Sequence, residues 1–291
     1  MTADDFPRII HIENTNLCNA NCIMCPHDSM KRQMGIMNMK LFKKLIDECS
    51  SYKYKCVHLH GFGEPFIDDK LVHKISYAKS KGINYVYIVT NGSLLDDGII
   101  GSIVGAGLDG IKISFYGATA DTYNMIHRGL NFYRVMSGVT NLFSYRKRAG
   151  VPNPAITLQF LFMDENNDEW DTFVDMWSPY IDKSYGDSIS RFKLHNYAYG
   201  KSYNTVRKDV DRIACRLPFV TMNILWNGDV VPCCYDYDAS TILSNVRDNS
   251  IYDVWHSDDM QRIRDAHNTK KFYNVPICDN CDQLMEVDNG S

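Results

Sequence analysis

Six short strand-like segments alternate with helical ones up to about residue 195, and this alternation restricts the fold more than any other feature of the chain. The strands fall at residues 9–13, 57–60, 85–90, 110–115, 155–162 and 191–195. They are rich in β-branched and aromatic residues, and several are apolar nearly throughout, as strands of a parallel sheet read when both faces are covered. Helical patterns fill residues 39–50, 70–81, 95–105, 133–149 and 167–180. Asp68 and Asp69 offer an N-cap for the second helix, and Gly82 and Gly150 offer stops for the second and fourth. Such alternation implies βαβ units. Six of them predict an α/β fold built on an open or partial (β/α)6 barrel. After about residue 200 the alternation stops. Residues 223–231 read as a β-hairpin with Asn227-Gly228 as a type I′ turn. A helix over about 251–267 and a cysteine-bearing tail follow. The expected division is a core at residues 1–205 and a small hairpin-and-helix domain at 206–291.

Hydrophobic residues make up 45% of the chain, enough for a sizeable core, and the net charge of −4 argues against a nucleic-acid partner. The densest basic run, Arg146-Lys147-Arg148, suits the C-terminal turn of a helix. No stretch approaches the roughly 20 apolar residues of a membrane helix. The opening Met1-Thr2-Ala3-Asp4-Asp5 has neither the basic nor the apolar region of a signal peptide. A cytoplasmic protein without a membrane partner is expected. Its ten cysteines are then poor candidates for disulfides. Seven fall in tight or paired groups at the two ends of the chain, which points to metal or iron–sulfur ligation.

Cys18, Cys22 and Cys25 follow the first strand, on the side where α/β barrels place their chemistry. Three thiolates on one loop can hold three irons of a [4Fe–4S] cube and leave the fourth open to an exogenous ligand. A zinc ion would be left one ligand short. Cys215, Cys233, Cys278 and Cys281 form a second set. Four thiolates satisfy every iron of a cube, although the same four also suit a zinc-ribbon site. Cys49 and Cys56 read as core cysteines.

The first triplet, at this spacing and position, resembles the radical-SAM superfamily. The resemblance implies that S-adenosylmethionine chelates the open iron. Its reductive cleavage yields a 5′-deoxyadenosyl radical that abstracts a substrate hydrogen. Met24 departs from the pattern, which usually has an aromatic residue before the last cysteine. Gly61-Phe62-Gly63-Glu64-Pro65 looks like the family's Gly-Gly-Glu-Pro segment, whose backbone and glutamate hold the methionine amino group. Asn91 in Thr90-Asn91-Gly92 closes the third strand as in relatives. Ser114 and Arg128 resemble positions that contact the ribose and the methionine carboxylate, the arginine through a charge-assisted bond. Gln159 and Leu161 fall near the nucleoside, though strand packing accounts for Leu161 equally.

The second set, with the hairpin Trp226–Cys234, resembles the twitch domain, a shortened SPASM domain with one auxiliary [4Fe–4S] cluster. The resemblance therefore implies S-adenosylmethionine, two [4Fe–4S] clusters and a flavodoxin- or ferredoxin-type electron donor. Three reactions compete. One is dehydrogenation of a small polyol, aminocyclitol or sugar, with the second cluster accepting an electron and His195 as a candidate base. The others are peptide modification and redox-neutral epimerisation, the latter with Cys234 as a candidate hydrogen donor. The non-enzymatic alternative is a zinc-binding scaffold. His58, His60, Tyr116, His195 and Tyr197 are candidates for the barrel mouth.

Overall fold

A computed structural model describes residues 1–53, 56–197 and 212–284. The expected domain division at 205/206 lies outside the described residues. The core runs as β1 (Ile9–Ile12), α1 (Met39–Ser50), β2 (Cys56–His58), α2 (Leu71–Ser80), β3 (Tyr85–Thr90), α3 (Asp97–Gly105) and β4 (Gly110–Ser114). It continues through α4 (Ala120–Ile126), α5 (Phe132–Ala149), β5 (Ala155–Phe162), α6 (Trp170–Trp177) and β6 (Ser188–Lys193). After it come α7 (Leu217–Val220), β7 (Thr221–Ile224), β8 (Asp229–Val231), β9 (Ser244–Asn245), α8 (Ile251–Trp255), α9 (Asp258–Asn268) and α10 (Pro276–Asp279).

Among the described residues, nine strands form one open sheet in the order β6-β5-β4-β3-β2-β1-β7-β8-β9. The first six are parallel neighbours in chain order, as successive βαβ units require. The sheet is a partial barrel and does not close. The C-terminal hairpin is not a separate sheet. Strand β7 pairs parallel with β1, Ile9 beside Thr221 and Ile12 beside Ile224, and so extends the core sheet.

The strands alternate more strictly than their sequences suggest. Ile10, Ile12, Val57, Leu59, Val86, Ile88, Ile111 and Ile113 are almost fully buried beneath the helices. His11, His58, Tyr87, Lys112 and Gln159, on the other face, are only partly covered. Period two puts the apolar set outward against the helices and leaves a polar concave face. The helix layer supplies Phe42, Leu45, Ile46, Ile75, Ile100, Ile103, Val135 and Leu142. Each such side chain contributes roughly 1.5–3 kcal/mol on burial.

Several local expectations change. Lys70, not an aspartate, stands at the N-cap of α2. Asp68 instead accepts from Lys70 N and forms a buried ion pair with Lys74 at 2.6 Å. The turn between β7 and β8 is not type I′, because only Gly228, at φ +95°, has positive φ there. Gly228 N donates to Leu225 O and Leu225 N to Asp229 O. This is a three-residue loop with a glycine bulge. The C-terminal helix is two helices, because Ser257 caps α9 by accepting from Met260 N. Helix α4 was not anticipated, and β6 starts three residues early. The Arg146 run does end α5, but Arg146 is buried and grips both carboxylate oxygens of Asp187.

Candidate functional site

The cysteine triplet sits on the loop leaving β1, and the ends of the next strands hold that loop from three sides. Asn21 N donates to Arg128 O at 2.8 Å and Ile23 N to Ile126 O at 3.0 Å. Glu64 N donates to Leu17 O at 2.8 Å. Asn91 Nδ2 donates to Asn19 Oδ1 at 3.0 Å, and Asn19 Nδ2 to Ser93 Oγ at 2.9 Å. Gly63 explains how the second loop approaches so closely. A Cβ there would lie 2.6 Å from the carbonyl oxygens of both Thr15 and Leu17. The glycine is needed for close approach, and its φ is not positive. Phe62 N donates to Glu13, a buried carboxylate paired with Arg32.

Glu64 is 1% exposed. It accepts from Thr90 Oγ1 at 2.6 Å, Asn91 N at 2.8 Å and Phe66 N at 3.3 Å. Burial nevertheless pushes it up to about 7, with these bonds only partly opposing the shift. An ionised carboxylate offers about four acceptor positions. Three are filled, so this carboxylate has room for one more donor. That suits an N–H of the S-adenosylmethionine amino group.

His127, which no sequence motif marks, is buried between two site elements. Its Nδ1 lies 3.3 Å from Cys22 Sγ. Its Nε2 accepts from Tyr116 N at 3.2 Å, which leaves the proton on Nδ1, directed at the sulfur. Burial lowers His127 to about 3, so it stays neutral. Ser114 shares a hydrogen bond with the Tyr116 hydroxyl and is paired in register with Gln159. Tyr116 and Leu161 pack with Met24, Ile126 and Met163 under the loop. Met24 thus fills an apolar position without an aromatic ring. Arg128 is exposed and reaches the loop through its carbonyl.

The second set lines one cavity of about 290 Å³, with Leu217, Pro232, Ile263, Ile277 and Tyr235 among its walls. Cys215, Cys233, Cys278 and Cys281 all reach it. Burial pushes Cys215 up to about 11 and Cys281 up to about 12, and the other thiols of the set add to the shift. The four thiols share one largely apolar cavity, and binding iron there must release protons. His267 also lines the cavity. Its Nδ1 accepts from Cys215 N at 3.1 Å, and its buried Nε2 has no hydrogen-bond partner among the described residues. This orphan N–H suits a cluster sulfur. The Arg212 guanidinium donates to the carbonyls of Cys278 and Asp279 and fixes the last turn.

Among the described residues, a group of three ligand atoms all within 4.8 Å occurs once, at His11, His58 and His60.

The remaining candidates fall between the two sets. His195, just beyond β6, packs against Tyr235 at 4.2 Å and Tyr197 at 4.1 Å between ring centroids. Tyr197 N reaches His195 Nδ1 at 3.4 Å. Burial lowers His195 to about 4, although Asp282 opposes this. The Cys234 thiol is hydrogen-bonded to Cys233 and lies outside the cavity lining. Cys49 is buried in the core and Cys56 is half-buried on β2. No helix among the described residues is long and apolar enough to cross a membrane.

Known proteins place this architecture. The radical SAM superfamily matches residues 12–176. The SPASM iron-sulfur cluster-binding domain matches residues 215–282. A probable GTP 3′,8-cyclase of Methanothermobacter thermautotrophicus is 30% identical over 56% of this chain, and the match spans 52% of the cyclase. The S-adenosyl-L-methionine-dependent 2-deoxy-scyllo-inosamine dehydrogenase of Niallia circulans is 21% identical over 95% of this chain and 93% of its own length. The crystal structure of BtrN in complex with AdoMet and 2-DOIA superposes with a TM-score of 0.66 at 18% identity, covering 97% of this chain and 94% of BtrN. The two matched domains imply S-adenosylmethionine and two [4Fe–4S] clusters as cofactors, and with most of the partial barrel accounted for, the chain belongs to the radical SAM superfamily.

Proposed function

We propose that the chain dehydrogenates a small polyol, aminocyclitol or sugar. The observation that carries this reading is a shared wall between the barrel mouth and the four-cysteine cavity. Asn196 N donates to Asp282 Oδ2 at 2.9 Å, and Asn196 Nδ2 to Asn280 O at 2.8 Å. The exit of β6 is thereby stitched to the Cys278–Cys281 turn, and His195 rests on Tyr235, which lines the cavity. A carbinol carbon that becomes a ketone loses one hydrogen atom, one proton and one electron. When bound, S-adenosylmethionine with the first cluster supplies hydrogen-atom abstraction, and the second cluster supplies an acceptor for the electron.

The chain's own residues orient and protonate. Cys18, Cys22 and Cys25 are the ligands of the first cluster, and His127 orients Cys22. Glu64 and the Gly61–Gly63 backbone receive the methionine amino group. Asn91 holds the cysteine loop, Ser114 and Gln159 lie along the nucleoside, and Arg128 meets the methionine carboxylate. Cys215, Cys233, Cys278 and Cys281 are the ligands of the second cluster. His195, at the exit of β6 against Tyr235, is the proton acceptor. The external electron donor is of the flavodoxin or ferredoxin type. Full-length similarity to a dehydrogenase of an aminocyclitol supports the substrate class.

The test is an anaerobic assay of the reconstituted protein against a panel of aminocyclitols, polyols and sugars deuterated at each carbinol carbon. Deuterium should enter 5′-deoxyadenosine in a one-to-one ratio with ketone. Formation of an epimer with solvent hydrogen at the abstracted carbon would replace this reading with the redox-neutral one.

A further inference from the structure

We propose that His11, His58 and His60 bind one divalent transition-metal ion on the concave face of the sheet, apart from both cysteine sets. The inference does not depend on the dehydrogenase reading. His11 on β1 and His58 on β2 are register partners on adjacent parallel strands. His60 lies two residues further on, on the same face. The alternating residues Ile10, Ile12, Val57 and Leu59 are buried in the helix layer, so the three rings face the interior of the partial barrel. Ring centroids are 4.6, 5.2 and 5.5 Å apart. One nitrogen from each ring falls within 4.8 Å of the other two. A tetrahedral ion with nitrogens at about 2.0–2.1 Å would hold them roughly 3.4 Å apart, which small ring rotations supply.

A second observation points to a ligand. His60 Nδ1 is buried without a hydrogen-bond partner among the described residues, a state that folded chains seldom leave uncompensated. The protonation states also suit a metal. Burial lowers His11 to about 4 and His58 to about 3, so the imidazoles are already in their ligating form near neutral pH. Three imidazoles and an open fourth position is the arrangement of catalytic rather than structural zinc sites. Imidazole donors suit zinc, copper, iron and nickel. Lys112, on the same face, lies close enough to lower His58 and His60 further. Its ammonium sits 5.0 Å from the centre of the Phe192 ring. That positive charge favours an anionic fourth ligand, such as hydroxide or a deprotonated substrate oxygen, over a neutral one. Because His60 directly precedes Gly61, such a ligand would lie on the concave face next to the Gly61–Glu64 segment.

The experiment uses the anaerobically reconstituted holoprotein. Iron is quantified, one equivalent of Zn²⁺ is added, unbound metal is removed, and retained zinc is measured together with its X-ray absorption. The expected result is one zinc per chain with a nitrogen and oxygen shell at about 2.0–2.1 Å. His58→Gln and His60→Gln should each weaken retention about tenfold or more with iron unchanged. Absence of retained zinc, a sulfur shell at about 2.3 Å, or unchanged retention in both variants would overturn the proposal. Should a variant also lose iron, the wild-type absorption spectrum alone decides the ligand set.

Discussion

The two cysteine sets reach similar chemistry by opposite routes. The first spans Cys18 to Cys25 on a single loop, and the surrounding strand ends serve to hold that loop still. The second collects Cys215 from before α7, Cys233 from after the hairpin, and Cys278 and Cys281 from the last turn. No local segment can assemble it. It exists because β7 docks on β1, α9 places His267, and Arg212 ties down the turn. The first site is a local motif on a preformed scaffold, and the second is itself part of folding its region.

Disruption should expose this difference, and the largest effect is expected at the first set. Replacing Cys18, Cys22 and Cys25 with Ala should abolish S-adenosylmethionine cleavage, measured as 5′-deoxyadenosine, while the thermal midpoint stays near wild type. Cys278→Ser with Cys281→Ser should do the reverse. Binding of S-adenosylmethionine should persist, whereas the melting temperature should fall by about 5 °C or more, corresponding to a loss of about 2 kcal/mol. Equal destabilisation by both variants would break the comparison.

The contrast also explains what was legible in the sequence. The first site could be read because its spacing is local and its motifs end strands. The hairpin and the second ligand set were readable as a pattern, but not as a continuation of the core sheet, since the β1–β7 pairing joins residues more than two hundred positions apart. Buried polar partners were invisible for the same reason. His127 and His267 matter through one hydrogen bond each to a cysteine residue distant in sequence, and nothing local marks them. The basic run at Arg146 shows a half-success. Its place at a helix end follows from charge and dipole, but its grip on Asp187 is tertiary. His58 and His60 read as barrel-mouth candidates from sequence, but His11 joins them only through the register of β1 on β2, which is tertiary.

Electrostatics sharpen the comparison at finer scale. Glu64 is lifted to about 7 by burial from an ordinary 4.5. In the ligand-free protein its contribution to stability is full below about pH 4.5 and is lost as the pH rises through about 7. The amino N–H of a chelated S-adenosylmethionine bonds the carboxylate better than the carboxylic acid, so affinity should rise between pH 6 and pH 8. In Glu64→Gln it should be weaker by about tenfold at pH 8 and rise less steeply with pH. Isothermal titration across that range checks both. A slope as steep in the variant as in the wild type would remove Glu64 from the amino-group site.

The smallest effect is expected at His267. An N–H bond to a cluster sulfur stabilises the reduced, more negative form and raises the reduction potential. His267→Phe should lower the potential of the second cluster by roughly 20–60 mV, the electrical equivalent of one net hydrogen bond. Redox titration followed by EPR would show it. An unchanged potential would mean that the buried Nε2 faces no part of the cluster.

The central claim is that the two cysteine sets are separate cluster sites, and the most direct measurement is iron and sulfide content with EPR. It would compare the anaerobically reconstituted wild type, the Cys18/Cys22/Cys25 alanine variant and the Cys278/Cys281 serine variant. The account predicts about eight irons per chain in the wild type and about four in each variant, with a different EPR signal surviving in each. Zinc without iron in the alanine variant would contradict it and make the C-terminal site a structural zinc centre.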